Sequence, residues 1–336
     1  MTPRNLGRSG PVVSTLGLGC MAMSGVYGPA DRSESIATVR AALDAGITLL
    51  DTGDFYGMGH NELLIREALA GRRGGGERDK LLLSVKFGAL RDPAQNWGGY
   101  DARPAALKNF LAYSLQRLGV DYIDIYRPAR LDPQVPIEET VGAIADMIKA
   151  GYVRYVGLSE VGAATLRRAQ KVHPICDLQI EYSLASRGLE AEILPVCREL
   201  GIAITAYGVL SRGLISGHFS RERAAGEEGF RKHSPRFQGE NLEKNLALVE
   251  QLRSVAQQIG ASVAQVAIAW VVAQGPDIVP LIGAKRREQL IESLGALEVD
   301  LTVAQVAALT RAMPADAVVG TRYMTAQMGQ LDSERK

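Results

Sequence analysis

The sequence has few cysteines, no long hydrophobic run and almost no net charge, and each scarcity excludes a class of protein. Its three cysteines, Cys20, Cys176 and Cys197, lack metal-ligand spacing, which is typical of reduced thiols that fill a core. No apolar run approaches the ~18 residues of a membrane span, and the N-terminus lacks the apolar core of a signal peptide. We therefore expect a cytoplasmic protein with no membrane partner.

The opposite charges nearly cancel, with 38 Lys and Arg against 37 Asp and Glu. Such a chain has no overall basic field to attract a nucleic acid. Its length of 336 residues fits either two average domains or one α/β barrel. Because no linker or low-complexity segment marks a boundary, we predict one domain over residues 1–336. The sequence does not indicate an oligomeric state.

Short aliphatic runs alternate with amphipathic stretches along the chain. The eight predicted strands are 14–20, 48–50, 81–85, 122–126, 152–157, 177–180, 202–205 and 278–281. The predicted helices are 33–45, 59–70, 104–118, 137–149, 163–170, 189–200 and 263–273. Glycines between a helix and the next strand, as at Gly119 and Gly201, fit the left-handed position that ends a helix.

Repeated strand–helix units predict a parallel sheet, either an open doubly wound sheet or a closed (β/α)8 barrel. The count of eight favours the barrel. So does the absence of a G-x-G-x-x-G fingerprint, since GLG (17–19) is followed by CMA. Two loops stand out: 71–77 (GRRGGGE), which we expect to be flexible, and 217–239, a polar insertion long enough to act as a lid.

Polar side chains follow several predicted strands, and barrel active sites lie at these strand exits. They are Asp51, Lys86, Ser159, Gln179 and Tyr207. Tyr56 lies five residues beyond Asp51 and can fold back over the barrel mouth. We expect the Lys86 ammonium to lower the pKa of the Tyr56 phenol, with Asp51 orienting the lysine. This trio suits protonation of a carbonyl oxygen. Alternatively, Asp51 caps a loop and the other two side chains only pack.

Six segments resemble the motifs of the aldo-keto reductases, in family order over nearly the whole chain. They are LGRSGPVVSTLGLGCMAMS (6–24), LDTGDFYG (50–57), SVKFG (84–88), LQIEYS (178–183), AYGVLSRGLISG (206–217) and LIGAKRREQLIESLGAL (281–297). PRFQGENLEKNLALVEQL (235–252) is similar to the bacterial and plant branch that has a long loop after the seventh strand. The resemblance implies a (β/α)8 TIM barrel with an N-terminal β-hairpin and a C-terminal extension. It also implies NADPH-dependent reduction of a small aldehyde or ketone.

The resemblance assigns roles by position. Tyr56 is implied as the general acid, with Lys86 and Asp51 tuning its pKa, and no metal is implied. Implied cofactor contacts are Ser159 and Gln179 on the nicotinamide carboxamide, Tyr207 on its ring, and Leu210, Arg212 and Gly213 near the pyrophosphate. At the adenosine end they are Gly283, Lys285, Arg286, Gln289 and Ser293. Cations at a helix start suit a 2′-phosphate, which implies NADPH/NADP+. Glu160 stands where many relatives have Asn, and it is either a cofactor contact or a solvated or structural carboxylate.

One position departs from the family pattern. Relatives usually have a histidine in a segment Y-x-x-H-R-x-D-P near the end of the fourth strand, whereas this chain has YRPARLDP (126–133), which places Ala129 there. Losing one donor to a developing oxyanion costs roughly 3 kcal/mol, or about a hundredfold in rate. Either Arg127 or Arg130 supplies compensating charge, or each points outward in a salt bridge. His218 is a weak substitute for the histidine.

The substrate pocket is predicted from the residues of the mouth loops. We expect an apolar lining from Met21, Met23, Tyr27, Phe55, Trp97, Tyr323 and Met324. Two alternatives to a carbonyl reductase stay open. One is an NADPH-binding redox sensor with slow turnover, which the alanine at position 129 favours. The other is the same site working in the oxidative direction on an alcohol.

Overall fold

Eight parallel strands form a closed barrel in the computed structural model, which describes residues 1–71, 78–226 and 229–335. The strands of the described chain are β1 (Pro3–Asn5), β2 (Val12–Ser14), β3 (Gly17–Gly19), β4 (Leu49–Gly53), β5 (Leu82–Phe87), β6 (Ala89–Arg91), β7 (Trp97–Tyr100), β8 (Ile123–Pro128), β9 (Val153–Ser159), β10 (Ile175–Glu181), β11 (Ala203–Tyr207) and β12 (Ile278–Gly283). The barrel order is β3-β4-β5-β8-β9-β10-β11-β12, and β12 pairs with β3 to close it. The predicted (β/α)8 barrel is confirmed.

α-Helices lie between successive barrel strands along the chain, and the last of them follow β12. They are α1 (Arg32–Asp44), α2 (His60–Ala68), α3 (Pro104–Leu118), α4 (Ile137–Lys149), α5 (Ala163–Val172), α6 (Ile193–Leu200), α7 (Arg221–Ala225), α8 (Gly239–Ile259), α9 (Val263–Val272), α10 (Arg287–Leu294), α11 (Val303–Ala312) and α12 (Thr325–Met328). The predicted helix over 189–200 begins four residues too early. Pro195 has no N–H to donate, so it is tolerated in the first turn of α6 but not further inside a helix.

The predicted first strand, 14–20, is wrong as a single element. Its first residue belongs to the antiparallel β1–β2 hairpin, and the barrel strand β3 starts only at Gly17. Between them the chain bends, because the Ser14 hydroxyl donates to Leu16 O and the Ser14 N–H donates to the Thr48 hydroxyl. The hairpin places Leu6 and Val13 in an apolar cluster with side chains from the barrel strands, among them Leu49, Leu82 and Ile125. The hairpin therefore plugs the amino-terminal end of the barrel.

Two loops at the opposite end carry structure of their own. The β6–β7 hairpin was not predicted; Trp97 and Tyr100 in it make an edge-to-face ring contact at 4.9 Å between centroids. The insertion 217–239 is not a plain loop, since it contains α7 and two 3-10 turns, at Phe230–His233 and Pro235–Phe237. The predicted flexible segment 71–77 lies, beyond its first residue, outside the described residues.

The three cysteines are buried and free, as expected, and they lie in different layers. Cys20 follows β3, Cys176 is in the apolar cluster under the barrel, and Cys197 is in α6. Burial raises the pKa of each thiol. Within the described ranges, no single helix has the length and apolarity to cross a bilayer; only α8 and α9 taken together, with an 84° bend between them, meet that criterion.

Candidate active site

Asp51 and Lys86 form a buried ion pair inside the carboxyl end of the barrel. Adjacent strands place them there: Asp51 pairs in register with Ser84 on β5, and Gly53 pairs with Lys86. Lys86 Nζ lies 2.5 Å from Asp51 Oδ2, while Oδ1 accepts from the Ser84 hydroxyl at 2.9 Å and from Gln179 Nε2 at 2.7 Å. Three donors on one carboxylate fix its orientation and hold the lysine ammonium in place.

Tyr56 folds back over this ion pair from the loop after β4. Its side chain is buried, and Lys86 Nζ lies 5.3 Å from the centroid of the phenol ring. Phe55 contacts the ring edge-to-face at 4.8 Å between centroids. The expected lowering of the Tyr56 pKa is wrong for this structure: burial, followed by the nearby Asp51 charge, raises the pKa well above 10, and the Arg130 charge opposes this only in part. The phenol therefore keeps its proton at neutral pH.

Arg127 lies beneath this group and does not reach the cavity. Its guanidinium is fully buried, forms an ion pair with Asp177 at 2.8 Å and donates to the Ser84 hydroxyl at 3.0 Å. The hydroxyl of Thr205 also bonds Asp177. Arg127 is therefore a support for the strand ends, and neither of its predicted roles, compensating charge in the pocket or an outward salt bridge, describes it.

Ala129 and Arg130 stand beside the trio, just beyond the end of β8. Both line the cavity, and Ala129 is held by a bond from its N–H to Phe87 O at 2.8 Å. Arg130 donates to Ala129 O at 2.7 Å, to the Ser159 hydroxyl at 3.3 Å and to the Tyr323 hydroxyl at 3.2 Å. Its guanidinium therefore turns inward. His218 does not substitute for the missing histidine, because it pairs with Glu292 at the other end of the cavity.

The implied nicotinamide contacts meet at the ends of three adjacent strands. Gln179 on β10 pairs in register with Ser159 on β9. Glu181, also on β10, pairs with Tyr207 on β11. The amide nitrogen of Gln179 is already engaged with Asp51, and the Tyr207 hydroxyl bonds Glu160 at 2.7 Å and Tyr323 at 2.8 Å. Glu160 itself is fully buried and makes a two-pronged ion pair with Arg322. It is a structural carboxylate rather than a solvated one.

The loop after β11 holds Arg212 in an unexpected position. Its backbone is left-handed (φ 57°), and its guanidinium pairs with the buried Glu181 at 2.9 Å. It also lies over the rings of Tyr323 (4.5 Å) and Phe230 (5.1 Å). Leu210 and Gly213 flank it along the cavity wall. Arg212 thus joins the insertion 217–239 to the C-terminal segment at the mouth.

The implied adenosine contacts lie together around the start of α10. Gly283, Lys285, Arg286, Gln289 and Ser293 all line the cavity. Lys285 Nζ reaches across to Pro29 O at 2.6 Å, and the Gln289 side chain accepts from the Lys285 N–H at 3.1 Å. Arg287 is not a cavity residue, because Glu34 binds its side chain at 2.9 Å. In the part of the chain described, Arg286 pairs with no carboxylate.

One cavity of about 960 Å³ connects these groups from the Tyr56 trio to α10. Met21, Tyr27, Phe55, Trp97 and Tyr323 line it as predicted, but Met23 is buried in the core and Met324 is exposed at the surface. Tyr100 is a wall residue that the sequence did not reveal, because β6 and β7 are too short to show periodicity. No group of three or more side chains suited to a metal occurs among the residues described.

A buried acid–lysine–tyrosine group at the carboxyl end of a (β/α)8 barrel, with a cavity extending to a basic helix start, defines a class of oxidoreductase. The Aldo/keto reductase family model matches residues 15–313. A probable aldo-keto reductase 1 of Glycine max is 40% identical over 322 residues, covering 96% of this chain and 91% of the relative. The chain belongs to the aldo-keto reductase family, whose members are carbonyl oxidoreductases that use nicotinamide cofactors.

Solved structures show the same fold. A glycerol dehydrogenase from Gluconobacter oxydans superposes with a TM-score of 0.83 at 30% identity, over 93% of this chain and 94% of that one. An aldo-keto reductase from Bacillus halodurans in its holo form gives 0.78 at 26% identity, over 94% and 97%. A thermostable aldo-keto reductase in complex with the inhibitor epalrestat gives 0.73 at 28% identity, over 93% and 100%.

Proposed function

We propose that this chain is an NADPH-dependent carbonyl reductase in which Tyr56 is the general acid. The observation that carries the proposal is the convergence of Tyr56, Lys86 and Asp51 on one end of a cavity of about 960 Å³. That volume lies at the upper end of the range for ligand pockets, which suits a dinucleotide together with a small substrate. The proposal thus accounts for both ends of the cavity.

Each residue of the trio has a separate task. A nicotinamide dinucleotide, when bound, supplies the hydride that adds to the carbonyl carbon. Tyr56 donates its phenolic proton to the carbonyl oxygen as negative charge develops there, so hydride and proton together give the alcohol. Lys86 stabilises the phenolate that remains, and Asp51 holds the ammonium in place. Solvent then returns a proton to Tyr56.

Removing the phenol tests the catalytic assignment. We expect Tyr56→Phe to slow single-turnover oxidation of bound NADPH by aldehydes by about 10²–10⁴-fold, the typical contribution of a general acid. Stopped-flow absorbance of the reduced cofactor measures the rate. Tyr113→Phe is the matched control, because Tyr113 is an exposed tyrosine on α3 and its phenol is remote from the cavity. Equal rates for wild type and Tyr56→Phe would refute the role of Tyr56.

The second candidate is a cofactor-binding redox sensor, favoured by one observation, the small side chain of Ala129 in place of a donor. The same stopped-flow experiment distinguishes it. A carbonyl reductase turns over repeatedly with an excess of NADPH, whereas a sensor oxidises its bound cofactor once and slowly. A panel of aldehydes and ketones that supports no steady-state oxidation of NADPH favours the sensor.

The cations at the start of α10 support a preference for NADPH over NADH. We expect Arg286→Ala to lower kcat/KM for NADPH by about tenfold or more, the usual value of a hydrogen bond to a charged group, and to leave kcat/KM for NADH within about threefold. Arg287→Ala is the matched control. It removes the next arginine of the same helix start, but Glu34 already occupies that side chain. Equal losses with both cofactors would contradict a 2′-phosphate contact.

A further inference from the structure

We propose that Arg130 binds a carboxylate of the substrate, so that the site selects aldehydes or ketones carrying a negatively charged group near the carbonyl. This inference rests on the proposed carbonyl reduction and deepens it by naming a substrate class. It starts from the surroundings of Arg130, which differ from those of its neighbouring arginines.

Four other arginines under the mouth of the barrel pair with buried carboxylates. Arg127 pairs with Asp177, Arg322 with Glu160, and both Arg212 and Arg236 with Glu181. Arg130 makes no such pair with any carboxylate in the described ranges. Its three hydrogen bonds go to neutral oxygens, those of Ala129, Ser159 and Tyr323.

A cation held by neutral groups in a partly dry site is the arrangement of an anion-binding residue. Nearby groups, the Glu160 charge among them, offset the burial of the guanidinium, but Glu160 is itself paired with Arg322 and none of the three acceptors bonded to Arg130 carries a charge. An oxyanion entering the cavity would add a charge-assisted hydrogen bond. The bonds to Ala129 O and Tyr323 hold the side chain in one orientation, so little conformational entropy is lost when an anion binds. Arg130 is therefore pre-organised toward the cavity.

The small side chain of Ala129 leaves this guanidinium accessible from the substrate end of the cavity. The walls around it are aromatic, with Trp97, Tyr100 and Tyr323, and Arg91 lies over Trp97. The acidic residue at this end, Asp51, is neutralised by Lys86. The other cavity carboxylates, Glu288 and Glu292, lie near α10. The field at the substrate end is therefore positive.

One guanidinium matches one carboxylate. Its parallel N–H groups suit the two oxygens of a carboxylate, and its single charge balances a monoanion. The expected substrates are thus oxo acids whose apolar or aromatic body packs on the walls. We expect the carboxyl group to lie close to the carbonyl, because Lys86, which contacts the Tyr56 ring, pairs in register with Arg127, three residues before Arg130.

Matched pairs of probes test the inference. The 2-, 3- and 4-carboxybenzaldehydes are compared with their methyl esters, which keep the ring and the aldehyde but remove the charge. We expect the wild-type enzyme with NADPH to prefer at least one acid over its ester by on the order of 100-fold in kcat/KM, mainly through KM. The isomer with the largest preference gives the distance from carbonyl to carboxylate.

Variants of Arg130 test whether this residue causes the preference for acids over esters. We expect Arg130→Gln to abolish it, with a far larger loss of kcat/KM for the acids than for the esters, and Arg130→Lys to restore part of it. Arg103→Gln is the control, since Arg103 is an exposed arginine paired with Asp101 outside the cavity. Because Arg130→Gln could perturb folding, calorimetric titration of the wild-type complex with NADP+ provides a second measurement. Phenylacetate should bind it at least tenfold more tightly than phenylacetamide.

Three results would overturn the inference: no preference of the wild type for any acid, a preference that survives Arg130→Gln, or equal losses for acids and esters. The last would mean that Arg130 acts on the carbonyl oxygen or on the fold. If neither acids nor esters oxidise NADPH, carbonyl reduction itself fails. The titration then decides about Arg130, since tighter binding of phenylacetate supports the anion site and equal binding refutes it.

Discussion

Glu160 joins the C-terminal segment to the barrel mouth. It is fully buried and has a left-handed backbone (φ 54°), which is uncommon for a residue other than glycine. Arg322 donates to both of its carboxylate oxygens, and the hydroxyls of Tyr207 and Ser333 donate to one oxygen each. Burial alone would raise the pKa of Glu160, but the Arg322 guanidinium and these bonds lower it. Glu160 therefore stays ionised, and its carboxylate holds the Tyr207 hydroxyl in one position.

Neutralising Glu160 should loosen the C-terminal segment. We expect Glu160→Gln to lower the free energy of unfolding by about 3 kcal/mol, because it leaves Arg322 buried without a charge partner. Urea denaturation measures the loss, and limited proteolysis should show faster cleavage after residue 319. Glu138→Gln is the matched control: its two-pronged pair with Arg168 has similar geometry but is exposed, so the loss should stay below about 1 kcal/mol. Equal losses of stability for Glu160→Gln and Glu138→Gln would argue against a special stabilising role of the buried Glu160–Arg322 pair.

The loop between β4 and α2 contains a second unusual carboxyl group. One oxygen of Asp54 is buried without a hydrogen-bond partner, and the nearby backbone groups of Phe55 and Gly88 offset the effect of burial on its pKa only in part. Burial first, and then the negative charge of Glu62 on α2, raise the pKa of Asp54 to about 7, although Arg117 on α3 opposes this. The phenol of Tyr126 on β8 also lies within reach of its charge. This loop carries Tyr56.

The raised pKa gives the loop a pH-dependent stability. Between the unfolded value of 3.8 and about 7, the folded state holds the Asp54 proton more tightly. The contribution of Asp54 is therefore present below about pH 4 and is lost as the pH rises through 7. Relative to Asp54→Asn, we expect the free energy of unfolding of wild type to fall by about 3 kcal/mol between pH 5 and pH 8, as measured by chemical denaturation. Asp121→Asn, at an exposed position, should follow wild type; parallel pH profiles for wild type and Asp54→Asn would exclude this role.

Most elements were predictable because their signals are local. The proline at the start of α3 and the glycine after it fixed both ends of that helix to the residue. β6 and β7 were missed because three or four residues are too few to show alternation. The break at Ser14 was missed because it depends on a hydrogen bond to Thr48, which is remote in sequence. The thermodynamic drive for these elements comes from packing rather than from their own composition.

At the scale of the whole molecule, the barrel itself supplied the active-site prediction. Parallel strands bring their carboxyl ends together, so the polar residues at the exits of β4, β5, β9, β10 and β11 had to meet. Nothing in the sequence shows which partner a buried charge finds. Glu160 and Arg322 are 162 positions apart, and the pair of Arg212 with Glu181 joins the loop after β11 to the end of β10. The catalytic candidates followed from the barrel topology, whereas the ion pairs around them depend on contacts between residues that are far apart in the sequence.

The three buried cysteines can serve as probes of local unfolding, because each lies in a different layer of the molecule. A thiol reagent attacks the thiolate, and burial together with a raised pKa makes each native thiol almost inert. Labelling must therefore wait for a fluctuation that exposes the sulfur. Cys20 reports on the catalytic end, Cys176 on the hairpin plug and Cys197 on the outer helices. Mass spectrometry of a labelling time course can thus show which layer of the barrel loosens first.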